Sequence, residues 1–229
     1  MKEQISYAKT VYGEEEINAV VQCLKESTQM GKYSREFENK IAKIFNKKYC
    51  LYLNSGSSAL YIGIEAFNFP EGSEVITPAL TFSTTIGSLI KNKLVPVFTD
   101  IEPLTYCIDI NQIEPLISDK TVAILAPNLL GNLCKWKEIM KIADKFGLKV
   151  IEDSADTIGY KIENKVNGRH SDIVTNSFYA SHIINGAGFG GIVCFNDYNL
   201  YKKANGKVQY HCQRNQTTAT VNKCCKNIS

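Results

Sequence analysis

The sequence predicts an α/β layered domain built on a mainly parallel sheet. Three observations lead there: short apolar runs too brief for helices recur along the chain, amphipathic stretches of helical period lie between them, and turn or capping residues mark the joins. This alternation begins at residue 14 and runs to about residue 197.

Glu14–Ser27 puts Ile17, Val20, Val21 and Leu24 on one helical face, and Ser34–Asn46 does the same with Phe37, Ile41, Ile44 and Phe45 behind a Ser34 cap. Tyr49–Leu53 reads as the first strand, followed by a helix over Ser57–Phe67, a strand at Glu74–Ile76, a helix over Thr84–Lys91 and a strand at Val95–Phe98. Gln112–Ile117 then reads as helical, Val122–Ala126 as a strand, and Lys135–Phe146 as a helix that Gly147 closes, because glycine adopts the left-handed C-cap conformation without strain. Lys149–Ile151, Ile173–Phe178 and Gly191–Phe195 complete the strands. Beyond Asp197 the pattern fades into a polar, Thr/Asn-rich ending, so the expected organisation is one domain over 1–197 and a poorly ordered tail over 198–229.

A chain of 229 residues with 44% hydrophobic and 21% charged side chains can bury one substantial core. Its net charge of +3 is scattered, as in Lys47-Lys48 and Lys202-Lys203, and a surface without a basic block argues against nucleic acid as a partner. The start lacks the apolar core of a signal peptide, and no apolar run approaches the roughly 20 residues of a membrane span, so no membrane partner is expected and the cytoplasm is the default location. Eight cysteines (23, 50, 107, 134, 194, 212, 224 and 225) are dispersed without a C-x-x-C pair and read as reduced apolar fillers. Cys224-Cys225 leaves a metal or redox role open on weak grounds, and no metal site is expected.

Ligands of parallel sheets gather at the carboxyl ends of strands, and four such places bear reactive residues. Asn54-Ser55-Gly56-Ser57-Ser58 follows a strand and opens a helix, where free N–H groups, hydroxyls and a glycine suit a phosphate. A plain helix cap would use the same residues. Glu152-Asp153-Ser154-Ala155-Asp156 ends a strand in acids, and a buried carboxylate there needs a cationic partner such as a pyridinium nitrogen; a solvated loop is the other reading. Phe82, after the Pro78 turn, offers a flat face for stacking or for core packing. His182 follows Asn176-Ser177-Phe178-Tyr179-Ala180-Ser181 and precedes a glycine-rich turn, a position suited to proton transfer, although isolated histidines are more often structural.

Taken in order, NSGSSAL, TPALTFSTT, PVFTDI with Asp109 after it, VIEDSADTIG and SFYASH with its Gly-rich turn resemble the DegT-type sugar aminotransferases of fold-type I, over about Tyr7 to Asp197. The resemblance implies a three-layer large domain with a seven-stranded, mainly parallel sheet, and a homodimer whose subunits share the active site. It also implies a small C-terminal domain that this chain does not reach. Carried over, Gly56, Ser57 and Ser177 would hold the phosphate of pyridoxal or pyridoxamine 5'-phosphate, Phe82 would stack on its ring, and Asp153 would pair with the ring nitrogen, with Asp156 beside them.

The chain departs from that pattern at one position. The reactive-lysine position falls on His182, so no covalent link to the coenzyme can form there. This departure resembles the 3-dehydratases of nucleotide-linked 4-keto-6-deoxyhexoses, and two details agree: Asp156 replaces a glutamine common among the aminotransferases, and Pro127–Leu133 resembles the Leu-Gly-Asn segment of that branch. The implied reaction uses pyridoxamine phosphate on the sugar's C4 ketone, with His182 moving a proton and the C3 hydroxyl leaving, in deoxysugar and lipopolysaccharide O-antigen synthesis. Ala155 stands where some relatives place a cluster-binding cysteine, so no iron–sulfur cluster is expected, and glutamate is the expected amino donor for regeneration. A nucleotide-sugar aminotransferase and a catalytically inactive remnant remain as alternatives.

Overall fold

The structure, a computed structural model, describes residues 11–26, 30–162 and 165–217. The chain begins with α1 (Glu14–Glu26) and α2 (Lys32–Ile44), then β1 (Tyr49–Leu53), α3 (Gly56–Phe67), β2 (Glu74–Pro78), α4 (Ser83–Lys91) and β3 (Val95–Thr99). β4 (Thr121–Pro127), α5 (Trp136–Phe146) and β5 (Lys149–Asp153) follow, and a short ribbon of β6 (Lys161–Ile162) and β7 (Lys165–Val166) leads to β8 (Ile173–Ser177), β9 (Gly191–Phe195) and α6 (Tyr198–Thr217).

Seven strands form the main sheet in the order β1-β9-β8-β5-β4-β2-β3. β8, β5, β4, β2 and β3 pair in parallel, whereas β9 runs antiparallel to both β1 and β8. The carboxyl ends of β1, β2, β4, β5 and β8 therefore meet the amino end of β9 along one edge, where parallel sheets bind ligands.

Successive residues of a strand face opposite sides, and the core divides accordingly. Leu51, Val75, Leu125, Ile151, Ile173 and Val193 pack against α3, α4 and α6 on one side. Ile76, Ile124 and Val150 meet α5 on the other, where Cys50, Val174 and Cys194 meet α2. The expected three layers around a seven-stranded, mainly parallel sheet are thus present. Cys50, Cys107, Cys134 and Cys194 are free thiols buried among apolar neighbours, the filler role read from sequence, while Cys224-Cys225 lies outside the described residues.

Several sequence expectations are corrected. α2 starts two residues before Ser34, after Gly31, so Ser34 is not its cap. Gln112–Ile117 is not an α-helix: two 3₁₀ turns, Ile110–Gln112 and Glu114–Leu116, occupy that stretch, and Pro115 lacks the amide that a continuous helix needs. The tail expected from residue 198 is a helix as far as Thr217; Leu200, Tyr201, Ala204 and Val208 recur at helical spacing and pack on the α3 side of the core. Residues 218–229 lie outside the described residues. α1 forms as read, yet Ile17, Val20, Val21 and Leu24 remain 41–64% exposed.

Candidate active site

α3 begins at Gly56, with Ser55 capping it: the Ser55 hydroxyl accepts from the Ser58 amide at 3.1 Å. Gly56 is required by close approach, because an added Cβ would lie 2.7 Å from Cβ of Ser177 at the end of β8. Gly191 is more constrained still, since a Cβ there would lie 2.2 Å from the carbonyl of Ser55. The helix start is thus clamped between β8 and β9, with Gly56 against Ser177 and Ser57 next to it on the first turn of α3. The amides of the first turn of α3, with the positive end of its dipole behind them, and the Ser57 hydroxyl, which donates to Thr84, are suited to an anion beside Ser177, whose own hydroxyl accepts from the Tyr179 amide.

The first turn of α4 joins this cradle to the acids. Thr84 accepts from the hydroxyl of Ser57 at 2.9 Å, and the next residue, Thr85, donates to Oδ2 of Asp153 at 3.1 Å. Phe82 occupies the N-cap position of the same turn and is 68% exposed, so its ring is free of the core and borders the edge. Neither threonine was singled out by sequence; only their place two and three residues beyond Phe82 could have marked them.

Asp153 ends β5 and is buried; the amide of Ala155 donates to its Oδ1 at 3.2 Å. Burial pushes its carboxyl up to about 6; the Ala155 and Thr85 hydrogen bonds and the nearby His182 pull downward, whereas Asp156 raises it. No lysine or arginine pairs with Asp153 among the described residues. A buried acid held by neutral donors alone suits a cationic ligand atom.

His182 lies beyond β8, where its amide donates to the carbonyl of Tyr179 at 3.0 Å. Its Nδ1 is 3.4 Å from Oδ1 of Asp156, and the Tyr179 ring meets the imidazole edge-on at 6.3 Å. The second oxygen of Asp156 accepts from the amide of Leu130 at 2.9 Å. These two donors, His182 first, hold the Asp156 carboxyl below the usual carboxylate range against the effect of burial.

A second buried acid supports the platform. Glu152, on the opposite face of β5 from Asp153, accepts from Asn128 (2.9 Å), Ser154 (2.8 Å), the Gly168 amide (2.9 Å) and Ser171 (3.3 Å). Lys47 approaches it and donates to the Ser171 carbonyl; burial lowers this lysine to about 8. Asn128 also accepts from the Cys134 amide and the Trp136 indole, which fixes the Leu129–Gly131 turn over Asp156.

Among the described residues no group of three or more His, Cys, Asp or Glu could hold a metal ion, and no helix is long and apolar enough to cross a membrane.

Residues 11–227 match the DegT/DnrJ/EryC1/StrS aminotransferase family. The pleiotropic regulatory protein of Geobacillus stearothermophilus is 37% identical over 174 residues, spanning 76% of this chain and 47% of that protein. GDP-perosamine synthase of Escherichia coli O157:H7 is 33% identical over 199 residues, 86% of this chain and 54% of the other. Among solved structures, the E. coli GDP-4-keto-6-deoxy-D-mannose-3-dehydratase with bound hydrated PLP superposes with a TM-score of 0.82 at 32% identity, covering 86% of this chain and 52% of that one. The chain spans about half the length of the curated relatives it matches.

Proposed function

We propose, for a chain that belongs to the DegT/DnrJ/EryC1/StrS aminotransferase family, that it forms the coenzyme-binding part of a 3-dehydratase. The substrate is a nucleotide-linked 4-keto-6-deoxyhexose, and the coenzyme is pyridoxamine 5'-phosphate. The observation that carries this reading is the imidazole of His182 beside Asp153 and Asp156, in a segment from Ile173 to Phe195 that contains no lysine. An amine at that place would bond covalently to the coenzyme, whereas an imidazole moves protons and leaves the coenzyme free.

The residues fit the coenzyme. Gly56, Ser57 and Ser177 leave a cradle that a Cβ at position 56 would fill, and they would hold its phosphate. Asp153, buried with no lysine or arginine paired to it among the described residues, would pair with the ring nitrogen, and the exposed face of Phe82 would cover the ring. When bound, the coenzyme supplies an amine for the sugar ketone and a ring that draws electrons from the adjacent carbon. His182 would take the proton from that carbon and would supply one to the departing C3 hydroxyl, which leaves as water. Asp153 would hold the ring nitrogen charged, and glutamate would be the donor that restores the amine once the sugar has released it as ammonia.

The test is direct. Purified protein with pyridoxamine phosphate is given GDP- or CDP-4-keto-6-deoxyhexose, and mass spectrometry reads the sugar. Loss of the C3 oxygen, abolished in His182→Asn, supports the dehydratase. A 4-amino sugar formed with glutamate as donor would return the reading to amino transfer, and neither product would leave the catalytically inactive remnant.

A further inference from the structure

We propose that Asp156 is a positioning residue for His182: one carboxylate oxygen is pinned by the Leu130 amide, and the other holds the proton-bearing Nδ1, so that Nε2 faces the reaction. This rests on His182 acting as the base and assigns to Asp156 a contact with the imidazole in addition to its expected place in the coenzyme site.

Three observations lead to it. The carboxylate is bridging, with Oδ1 3.4 Å from Nδ1 of His182 and Oδ2 2.9 Å from the nitrogen of Leu130. Separations of this kind tighten when substrate closes a site, so 3.4 Å in the free protein suits a working contact. Leu130 delivers its amide from a left-handed backbone, φ 55° and ψ 29°, which a leucine adopts only against steric strain. Such strain persists where the surroundings dictate it, and the surroundings here are the bond to Asp156, the glycine that follows and the Asn132 side chain, which donates to the Thr105 carbonyl at 2.9 Å. Finally, the two acids hold different donors. Asp153 engages Thr85 and Ala155, which leaves Asp156 to meet the imidazole.

Among the described residues, Asp156, Asp153 and the Tyr179 ring lie near His182. Of these, Asp156 alone lies against a ring nitrogen. An anionic acceptor at Nδ1 selects the tautomer protonated there and leaves the Nε2 lone pair available, whereas a carboxamide can also donate and removes the selection. A simple capping role for Asp156 makes a different forecast, because asparagine would still accept from Leu130 and nothing at His182 would change.

The experiment reads the tautomer itself, by ¹⁵N NMR of the histidine-labelled protein without coenzyme, with the His182 signals identified by their loss in His182→Asn. The wild-type protein is expected to show the Nδ1–H form at neutral pH. Asp156→Asn should show a mixture or the Nε2–H form, and its kcat for dehydration should fall about 100-fold or more with KM little changed. Wild-type tautomer and kcat in a folded Asp156→Asn protein would overturn the proposal. If that variant fails to unfold cooperatively, the wild-type spectrum decides alone: an Nε2–H imidazole overturns it. The dehydratase reading is judged separately, because a protein that holds the Nδ1–H form but releases no water refutes that reading and leaves the positioning intact.

Discussion

The hydroxyl of Thr85 donates to Asp153 across 3.1 Å and ties the start of α4 to the end of β5. The carboxyl it touches is buried and raised to about 6 from an ordinary 3.8, chiefly by desolvation. A folded-state value above the unfolded one means that the folded protein binds this proton more tightly. The resulting stability is complete below about pH 4 and is lost as pH rises through about 6. Asp153→Asn carries no charge to bury, so it should be more stable than wild type at pH 8 by on the order of 2–3 kcal/mol, with the gain vanishing near pH 4. Urea unfolding of the coenzyme-free proteins at both pH values measures this, and a difference that does not depend on pH would remove burial as the cause. The same variant should lose its affinity for pyridoxamine phosphate.

Gly191→Ala should be among the most damaging single-methyl changes available. The new Cβ would meet the Ser55 carbonyl at 2.2 Å and the Gly56 nitrogen at 2.4 Å, both backbone atoms that no rotamer change can move. Overpacking of this kind costs about 1–3 kcal/mol or more. Gly188→Ala, with open space around its Cβ but φ at 142°, tests backbone strain in the same turn. Thermal unfolding should rank Gly191→Ala as the less stable of the two, and the reverse order would mean that strain, not contact with the helix start, governs this edge.

These residues differ in how far the sequence reveals them. Asp153 and His182 are legible because polar residues following apolar strand runs mark the ligand edge of a parallel sheet, and Gly147 because its cap follows from a single residue's backbone freedom. Leu130 is not legible: nothing in a leucine announces a positive φ, which arises only when Asn128, Asp156 and the glycine at 131 act on it together. Thr85 is equally silent, since its role depends on α4 meeting β5 across 68 residues of chain. α6 escaped notice because its apolar positions sit among lysines and asparagines, so composition masked a stripe that spacing would have exposed.

The buried pair of Lys47 and Glu152 supports the floor of the site and should behave as a unit. Lys47→Met leaves Glu152 without its nearby cation and the Ser171 carbonyl without a donor, a loss of about 2–4 kcal/mol. Glu152→Gln sets an amide donor against the donors of Asn128 and Gly168. The double variant should lose less than the two singles combined, with a coupling of about 1 kcal/mol or more by urea unfolding. Strict additivity would separate the two side chains energetically.

His182→Lys examines the reach of position 182 without depending on any sugar substrate. The side chain starts from a loop beyond β8, within the span defined by Asp153, Asp156 and the Ser177 cradle. A lysine amine there can condense with the aldehyde of pyridoxal phosphate with loss of water, and borohydride then reduces the linkage to a secondary amine that survives denaturation. The expected outcome is one coenzyme equivalent fixed at position 182, found by peptide mass spectrometry; the wild-type protein, treated identically, should carry none at that position. Labelling elsewhere, or nowhere, in a folded variant would put position 182 beyond the coenzyme's reactive carbon. The catalytic role given to His182 would then end, while the phosphate cradle and Asp153 would stand unaffected, since neither depends on what side chain follows Ser181.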